Sequence, residues 1–230
     1  MSNVINIVAI VEGPTEQIFM RDILAPYLWQ KEIFITPIIV SKPGQKGGDV
    51  KFSRVKNDIE KHLKQRIDTY LTLFVDYYGI KQDWPGVSNA KLINDPKEKA
   101  ARINQATIQK VEELWSEYNP SRRFIPYIAM HEFEALLFSD STILAQKLSV
   151  RKSNVDLILN ECGEPENIDD SSQTAPSKRL ESLSPRFKKT TTGIAIAKEI
   201  GLPTIREKCP IFNEWLTKIE QLACTRGIIQ

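Results

Sequence analysis

The ten residues VAIVEGPTEQ, from Val8 to Gln17, contain a strand, a sharp turn and the start of a helix. The apolar, β-branched run that ends before Glu12 is typical of a buried strand. Gly13 and Pro14 then favour a helix start, because proline at the first helical position lacks only an N–H that the helix does not use. A buried strand therefore delivers the carboxylate of Glu12 to the point where the chain turns.

The same alternation of strand and helix continues along the chain. Further strands are predicted at 33–40, 70–75 and 123–130. Strands that alternate with helices imply right-handed crossovers and a mostly parallel sheet, so we expect an α/β fold with helices flanking a central sheet. Pro37 cannot donate to a sheet ladder, which predicts that the second strand lies near an edge or that Pro37 lies at a bulge.

Helical periodicity is clearest in three segments. An apolar four-residue repeat predicts an amphipathic helix with a basic outer face, and Asp95 is the expected cap of a long helix. The segment 194–200 fits either a strand or a helix. The repeat consists of Val55, Ile59, Leu63 and Ile67, the long helix covers 95–118, and a terminal helix covers 210–224.

We expect an α/β core over residues 1–145 and a mostly helical extension over 146–230, packed on it as one compact unit.

The composition is that of a globular protein of the cytoplasm. The 230 residues are 41% hydrophobic and 26% charged, and no apolar run approaches the roughly 20 residues that span a bilayer. The N-terminus lacks the pattern of a signal peptide. Three cysteines without C-x-x-C spacing and two histidines argue against a zinc site or a disulfide framework.

Basic residues are concentrated in two segments, although the net charge is only +2. Residues 41–66 carry eight lysines and arginines against three acids, and 176–190 carry five against one. Such segregation can build a face for a polyanion, or it can be a solvated helix face and loop. The segment SKPGQKGGD, 41–49, is predicted to be a flexible basic loop, and it lacks the spacing of a phosphate-binding P-loop.

Acidic residues follow several of the predicted strands. Glu12 ends the first strand, Asp76 the third, and Glu132 and Glu134 come after the fourth. The carboxyl ends of parallel strands share one edge of a sheet, so these acids are expected at one rim, where a cation would offset their repulsion. Oxygen ligands suit Mg²⁺ or Mn²⁺. Glu16 could add a ligand, or it could only stabilise the first helical turn.

Several longer stretches resemble one bacterial family. They include VAIVEGPTEQIFMRDILAPYL (8–28), LFVDYYGIKQDWPG (73–86) and RFIPYIAMHEFEALLFSD (123–140), and together the stretches resemble the DUF4276 family over nearly the whole chain. That family is placed among Toprim-like proteins, whose fold serves topoisomerases, primases and OLD-type nucleases. The resemblance implies a Toprim-like α/β domain with Mg²⁺ bound between a glutamate and a D-x-D strand end.

The resemblance also implies residue roles. Glu12 and Asp76 match the family pattern, whereas Tyr78 stands where D-x-D has its second aspartate, so Glu134 or Glu132 is expected to supply the missing ligand. Tyr77, Tyr78 and Trp84 could stack on bases or pack in the core. The predicted catalytic residues are Glu12, Glu16, Asp76, Glu134 and Lys188; the metal ligands are Glu12, Asp76, Glu132 and Glu134; the nucleic-acid contacts are Arg54, Lys178, Arg179 and Lys189.

These roles amount to an expected function, a Mg²⁺-dependent endonuclease that hydrolyses phosphodiester bonds, in DNA rather than RNA. The resemblance implies an SMC- or ABC-like ATPase partner in an antiphage or plasmid defence system, and a homodimer is the commonest assembly. Two alternatives are kept. One is a non-catalytic subunit of an ATPase complex, and the other is a nuclease that cleaves RNA such as tRNA.

Overall fold

The computed structural model describes residues 4–41, 50–168 and 174–226, so segment 42–49 of the predicted basic loop lies outside the described residues. A four-stranded parallel sheet with helices around it forms the framework, which confirms the predicted α/β fold. The strand order is β2-β1-β3-β4. The strands are β1 (Ile5–Val11), β2 (Ile33–Ile39), β3 (Thr69–Asp76) and β4 (Phe124–Ala129).

Strand β1 lies inside the sheet and pairs with a parallel neighbour on each side. Val11 is in register with Ile39 of β2 and with Phe74 of β3. Glu12 therefore follows a central strand, as its apolar run predicts. Strand β2, which contains Pro37, is at the edge of the sheet, where a missing ladder donor is tolerated, and the prediction from proline is confirmed.

The helical segment after β1 changes its winding in the middle. Helix α1 (Pro14–Phe19) continues through a π-helical turn, Met20–Leu24, into α2 (Ala25–Trp29). Pro26 has no N–H for the carbonyl four residues earlier, and the residue before Pro26 donates five residues back instead. A proline thus explains the wider turn without ending the helix.

The chain divides into two compact units. The first unit comprises Met1–Val75, Gly79–Ile128 and Glu214–Gln230, and the second comprises Asp76–Tyr78 and Ala129–Asn213. The boundary predicted after residue 145 falls inside the second unit. Residues 214–226, predicted as part of the extension, belong to the first unit.

Aromatic packing explains why residues 214–226 belong to the first unit. The Tyr127 ring stacks on Trp215 with centroids 5.0 Å apart, and Phe74 lies edge-on to both. The Trp215 indole N–H donates to the hydroxyl of Thr72 at 2.9 Å, so this buried side chain has no unpaired donor. Trp84 is also buried and donates to Thr107, which makes it a core residue of this unit.

The predicted basic helix is α3 (Phe52–Gln65). Val55, Ile59 and Leu63 are buried as their spacing predicts, but Ile67 is 81% exposed. The prediction for Ile67 was wrong because the helix ends two residues before it, and periodicity alone does not mark that end.

The remaining helices of the first unit follow their capping signals. Asp95 accepts the N–H of Glu98 at 2.8 Å, as expected of a cap. A single 3₁₀ turn, Ser116–Tyr118, closes the long helix. These helices are α4 (Val87–Ala90), α5 (Pro96–Trp115) and α6 (Pro120–Arg123).

The second unit is mostly helical, and it also contains the last residues of β3 and β4, Asp76 and Ala129. A 3₁₀ helix, Phe133–Ser139, begins shortly after β4, and the ambiguous segment 194–200 is helical. None of the described helices is both long and apolar enough to cross a membrane. The helices are α7 (Ser141–Leu148), α8 (Lys152–Cys162), α9 (Pro176–Leu183), α10 (Ile194–Lys208) and the first residues of α11 (Pro210–Arg226), and a π-helical turn, Lys189–Gly193, precedes α10.

Candidate active site

The turn after β1 holds two of the predicted acids in the first unit. The Gly13 N–H donates to the Glu16 carboxylate at 2.9 Å, and this bond completes the cap at the start of α1. Glu16 is mostly buried, and its negative charge lies at the positive end of the helix dipole. Its carboxylate therefore has a structural function at this turn, and its catalytic role stays a prediction.

The other acid of this turn, Glu12, lies against the backbone of Gly79. A Cβ atom built on Gly79 would come within 2.2 Å of Glu12 Oε2 and 2.8 Å of Oε1. Atoms in van der Waals contact are separated by about 3.5–4.0 Å, so no side chain at residue 79 is compatible with this position of the carboxylate. The observed position of the Glu12 carboxylate in the first unit therefore requires a glycine at residue 79.

Asp76, at the end of β3, organises the start of the second unit's site. Its Oδ1 accepts the N–H of Phe133 at 3.0 Å, and the neighbouring Tyr77 N–H donates to the carbonyl of Ala129 at 2.9 Å. Asp76 is mostly buried, so this charge-assisted bond is shielded from water. The bond fixes the first turn of the 3₁₀ helix that carries Glu134.

Glu134 is the most deeply buried of the predicted acids. Its side chain is 1% exposed, and its Oε2 lies 3.0 Å from the ammonium of Lys189, whose side chain is 42% exposed. A buried carboxylate requires a compensating positive charge or several donors. The structure therefore places Lys189, predicted as a nucleic-acid contact, directly beside a predicted catalytic acid.

Two further carboxylates act on the same ammonium. Burial lowers the pKa of Lys189, but the nearby charges of Glu134, Glu132 and Asp76 outweigh it and raise that pKa. We call these four side chains the acid–lysine cluster. The cluster contains three carboxyl groups and one ammonium.

Glu132 is held by the start of α9. Its Oε2 accepts the Ser177 N–H at 2.8 Å, and its Oε1 accepts the Ser177 hydroxyl at 3.1 Å. The residue before it, His131, has a left-handed backbone with φ of 66°, which is uncommon outside glycine. This bend ends the strand direction of β4 and starts the segment on which both glutamates lie.

The other predicted basic residues of the second unit are engaged elsewhere or exposed. Lys178 pairs with Glu181 one turn along α9, at 2.6 Å. Arg179 donates to Glu161 at 2.9 Å and to the carbonyl of Thr174 at 3.0 Å. Both have side-chain partners that a phosphate would have to displace, and their predicted contacts stay predictions.

Lys188 and Arg54 carry the remaining basic predictions. Lys188 is exposed, next to the buried ring of Phe187, whereas Arg54 is half-buried on α3 of the first unit. The predicted catalytic lysine was thus Lys188, while the lysine that meets the acids is Lys189. Neighbouring side chains point in different directions, and a pair of lysines in sequence does not show which one faces inward.

A divalent cation requires several ligand groups that converge on one point. No group of three or more histidine, cysteine, aspartate or glutamate side chains within the described ranges is placed to hold an ion. In the cluster, Glu134 faces an ammonium, and Asp76 and Glu132 accept N–H groups. These acids, as arranged, do not fit a metal centre, and the predicted ligand set of Glu12, Asp76, Glu132 and Glu134 stays a prediction.

Sequence reasoning did not identify Ser177 or the pairing role of Lys189. Ser177 is near the start of a helix, where serine usually caps its own helix. The neighbouring sequence therefore gave no indication that Ser177 binds Glu132. A buried aromatic, Phe187, two residues before Lys189 was the available signal, because it anchors the segment against the core.

Comparison with known proteins gives a family but no described activity. The model of the family described as "Domain of unknown function (DUF4276)" matches residues 11–220. No curated protein and no solved structure matches the chain. The matched range includes every residue of the acid–lysine cluster and both acids of the turn after β1.

Proposed function

The chain belongs to the DUF4276 family, and we propose that it is a nuclease that hydrolyses phosphodiester bonds in nucleic acid. The observation that supports the proposal is the acid–lysine cluster, in which Asp76, Glu132 and Glu134 act on the ammonium of Lys189. A carboxylate can transfer a proton, and a neighbouring lysine supplies positive charge for the phosphate oxygens. Both assist the hydrolysis of a phosphodiester bond.

The roles within the cluster follow from its chemistry. Glu134 is the candidate general base for the attacking water, and Lys189 is the candidate cation for the phosphate oxygens. Asp76 and Glu132 are held by N–H groups, so their role in the proposal is to position the segment that carries Glu134. The exposed Lys188, with Arg54, Lys178 and Arg179, would bind the nucleic-acid backbone.

A requirement for Mg²⁺ or Mn²⁺ also belongs to the proposal, through the resemblance to Toprim-like nucleases. When bound, such an ion supplies charge neutralisation at the phosphate. The described acids are not arranged around an ion. The involvement of Glu12 and Glu16 likewise stays a prediction.

A second candidate is a non-catalytic binding subunit of an ATPase complex. Two observations favour it. Lys189 already neutralises Glu134, and the exposed Tyr78 stands where a second aspartate is expected. In this role the cluster would be a structural ion pair, and an SMC- or ABC-like ATPase would be the partner. The antiphage or plasmid defence context and a homodimer belong to either candidate.

One assay separates these functions. Supercoiled plasmid, single-stranded DNA and tRNA are incubated with the purified protein in Mg²⁺, in Mn²⁺ and in EDTA. We expect cleavage that depends on the ion, and loss of the general base in Glu134→Gln should slow it by about a hundredfold or more. Cleavage of tRNA alone would identify an RNA nuclease.

The matched control is Glu199→Gln, which removes an exposed partner of Lys147 in the same unit and should leave the rate unchanged. Undiminished cleavage by a folded Glu134→Gln variant would contradict the assignment of the cluster. Absence of cleavage of all three substrates by the wild-type protein would favour the non-catalytic candidate, for which binding to a purified ATPase partner is then measured.

A further inference from the structure

We infer that Gly79 is a positioning residue for the carboxylate of Glu12. The functional consequence rests on the proposed nuclease, in which Glu12 is a predicted catalytic residue. The positioning itself is a property of the first unit. Both residues belong to that unit, and the contact between them is tested without any assay of cleavage.

The whole carboxylate group covers the Cα of Gly79. A Cβ at this position would lie 2.2 Å from Oε2, 2.7 Å from Cδ and 2.8 Å from Oε1 of Glu12. All three separations are far below the optimal spacing of about 3.5–4.0 Å for non-bonded heavy atoms. The space that a side chain at residue 79 would need is therefore the space in which the Glu12 carboxylate lies.

Backbone conformation does not account for the glycine. Glycine is usually required where φ is positive, as at Gly86, whose φ is 82°. Gly79 is not among the described glycines with positive φ, so other residues can adopt its backbone conformation. The remaining reason for a glycine here is close approach, and the group that approaches is a carboxylate.

The Gly79 backbone is fixed from its other side. Its carbonyl accepts the N–H of Val50 at 3.0 Å, and Val50 and Ile80 form a parallel bridge. Val50 and Ile80 are both buried, so this short segment is anchored in the core of the first unit. When a methyl group is added at residue 79, the flexible end of Glu12 moves more easily than the anchored backbone.

The direct test is the carbon-13 spectrum of protein labelled at the glutamate side-chain carboxyl. The Glu12 signal is identified by its loss in Glu12→Gln. We expect Gly79→Ala to shift that signal, since the added methyl group displaces the carboxylate, while the temperature of unfolding stays close to that of wild type. Gly193→Ala is the control, because a Cβ there meets only carbon atoms at 3.4 Å or more.

An unchanged Glu12 signal in Gly79→Ala would overturn the inference, whether or not the protein cleaves nucleic acid. A shifted signal supports it. Where cleavage is found, Gly79→Ala should lower the rate by up to about a hundredfold, as displacements near 1 Å can do. The shorter side chain of Glu12→Asp should then cost less in the Gly79→Ala background than in wild type. Equal costs in the two backgrounds would contradict a steric link between the residues.

Discussion

Two buried glutamates of the second unit are stabilised in different ways. Glu134 has a cation, the ammonium of Lys189, 3.0 Å from its carboxylate. Glu166 has two backbone donors instead, the N–H groups of Ile211 and Phe212 at the start of α11, at 2.8 and 2.9 Å. Both side chains are almost fully excluded from water. The comparison thus separates the effect of a cation from the effect of helix N–H groups.

The lack of a neighbouring cation affects the pKa of Glu166. Burial, which the two backbone hydrogen bonds only partly offset, raises the pKa of Glu166 to about 7. A helix terminus carries about half a unit charge, which is less than a lysine supplies. Glu166 therefore holds the start of a helix, whereas Glu134 faces the full positive charge of Lys189.

The largest expected effect concerns the region around Glu166. Its folded-state pKa of about 7 lies above the ordinary 4.5, so the folded protein binds this proton more tightly than the unfolded chain does. The resulting stabilisation is complete below pH 4.5 and is lost as the pH rises to about 7. We expect this group alone to change the free energy of unfolding by about 3 kcal/mol over that range.

Urea unfolding of wild type and Glu166→Gln across this pH range measures the difference. The glutamine variant should lack this part of the pH dependence, because it cannot ionise. Identical pH profiles for the two proteins would show that Glu166 keeps an ordinary pKa, and the contrast with Glu134 would then be lost.

The second effect concerns the cation. Lys189→Met removes the partner of the buried Glu134, and removing one member of a buried pair leaves an uncompensated charge. Since the lysine side chain is 42% exposed, we expect a loss of about 2 kcal/mol in the free energy of unfolding, less than for a fully buried pair.

Lys188→Met is the matched control, because it removes the same charge from the neighbouring, exposed position and should change stability little. Chemical unfolding at pH 7 compares the two variants. Equal stabilities of the two would mean that Lys189 does not support Glu134, and the acid–lysine cluster would lose its central contact.

The smallest effect concerns Glu132, which shares features of both regions. It acts on Lys189 by its charge, yet it accepts both polar groups of Ser177. Ser177→Ala removes the hydroxyl donor and keeps the backbone N–H, so we expect a loss of about 1 kcal/mol in the free energy of unfolding. If Ser177→Ala lowered the free energy of unfolding more than Lys189→Met does, Ser177 and not Lys189 would be the main stabilising residue of the cluster.

Much of the fold could be predicted because its signals are local. The run before Glu12 predicts a buried strand, Pro37 an edge strand, and Asp95 a helix start, and the structure confirms each. Ile67 was predicted wrongly, since the helix ends before it and no nearby glycine or proline marks that end. The segment 194–200 stayed ambiguous in the sequence because short apolar runs fit strands and helices equally well.

The candidate site was predictable only in part. Asp76, Glu132 and Glu134 were identified because acids after parallel strands are expected at one edge of the sheet, and the second unit does bring all three to one ammonium. That this ammonium belongs to Lys189 and not to Lys188 could not be deduced, because the choice depends on the π-helical turn that begins at Lys189. The contact between Glu12 and Gly79 was equally hidden, since 66 residues separate them in the chain.

The sequence by itself determined the α/β alternation, the edge strand, the helix caps and the set of acids that follow the strands. These features depend on periodicity, on proline and on capping, which act over a few neighbouring residues. Only the tertiary structure decided which lysine compensates Glu134, which serine holds Glu132, and which glycine makes room for Glu12. Those contacts join residues far apart in the chain. Only the packing of the folded chain determines which of several chemically similar residues makes each contact.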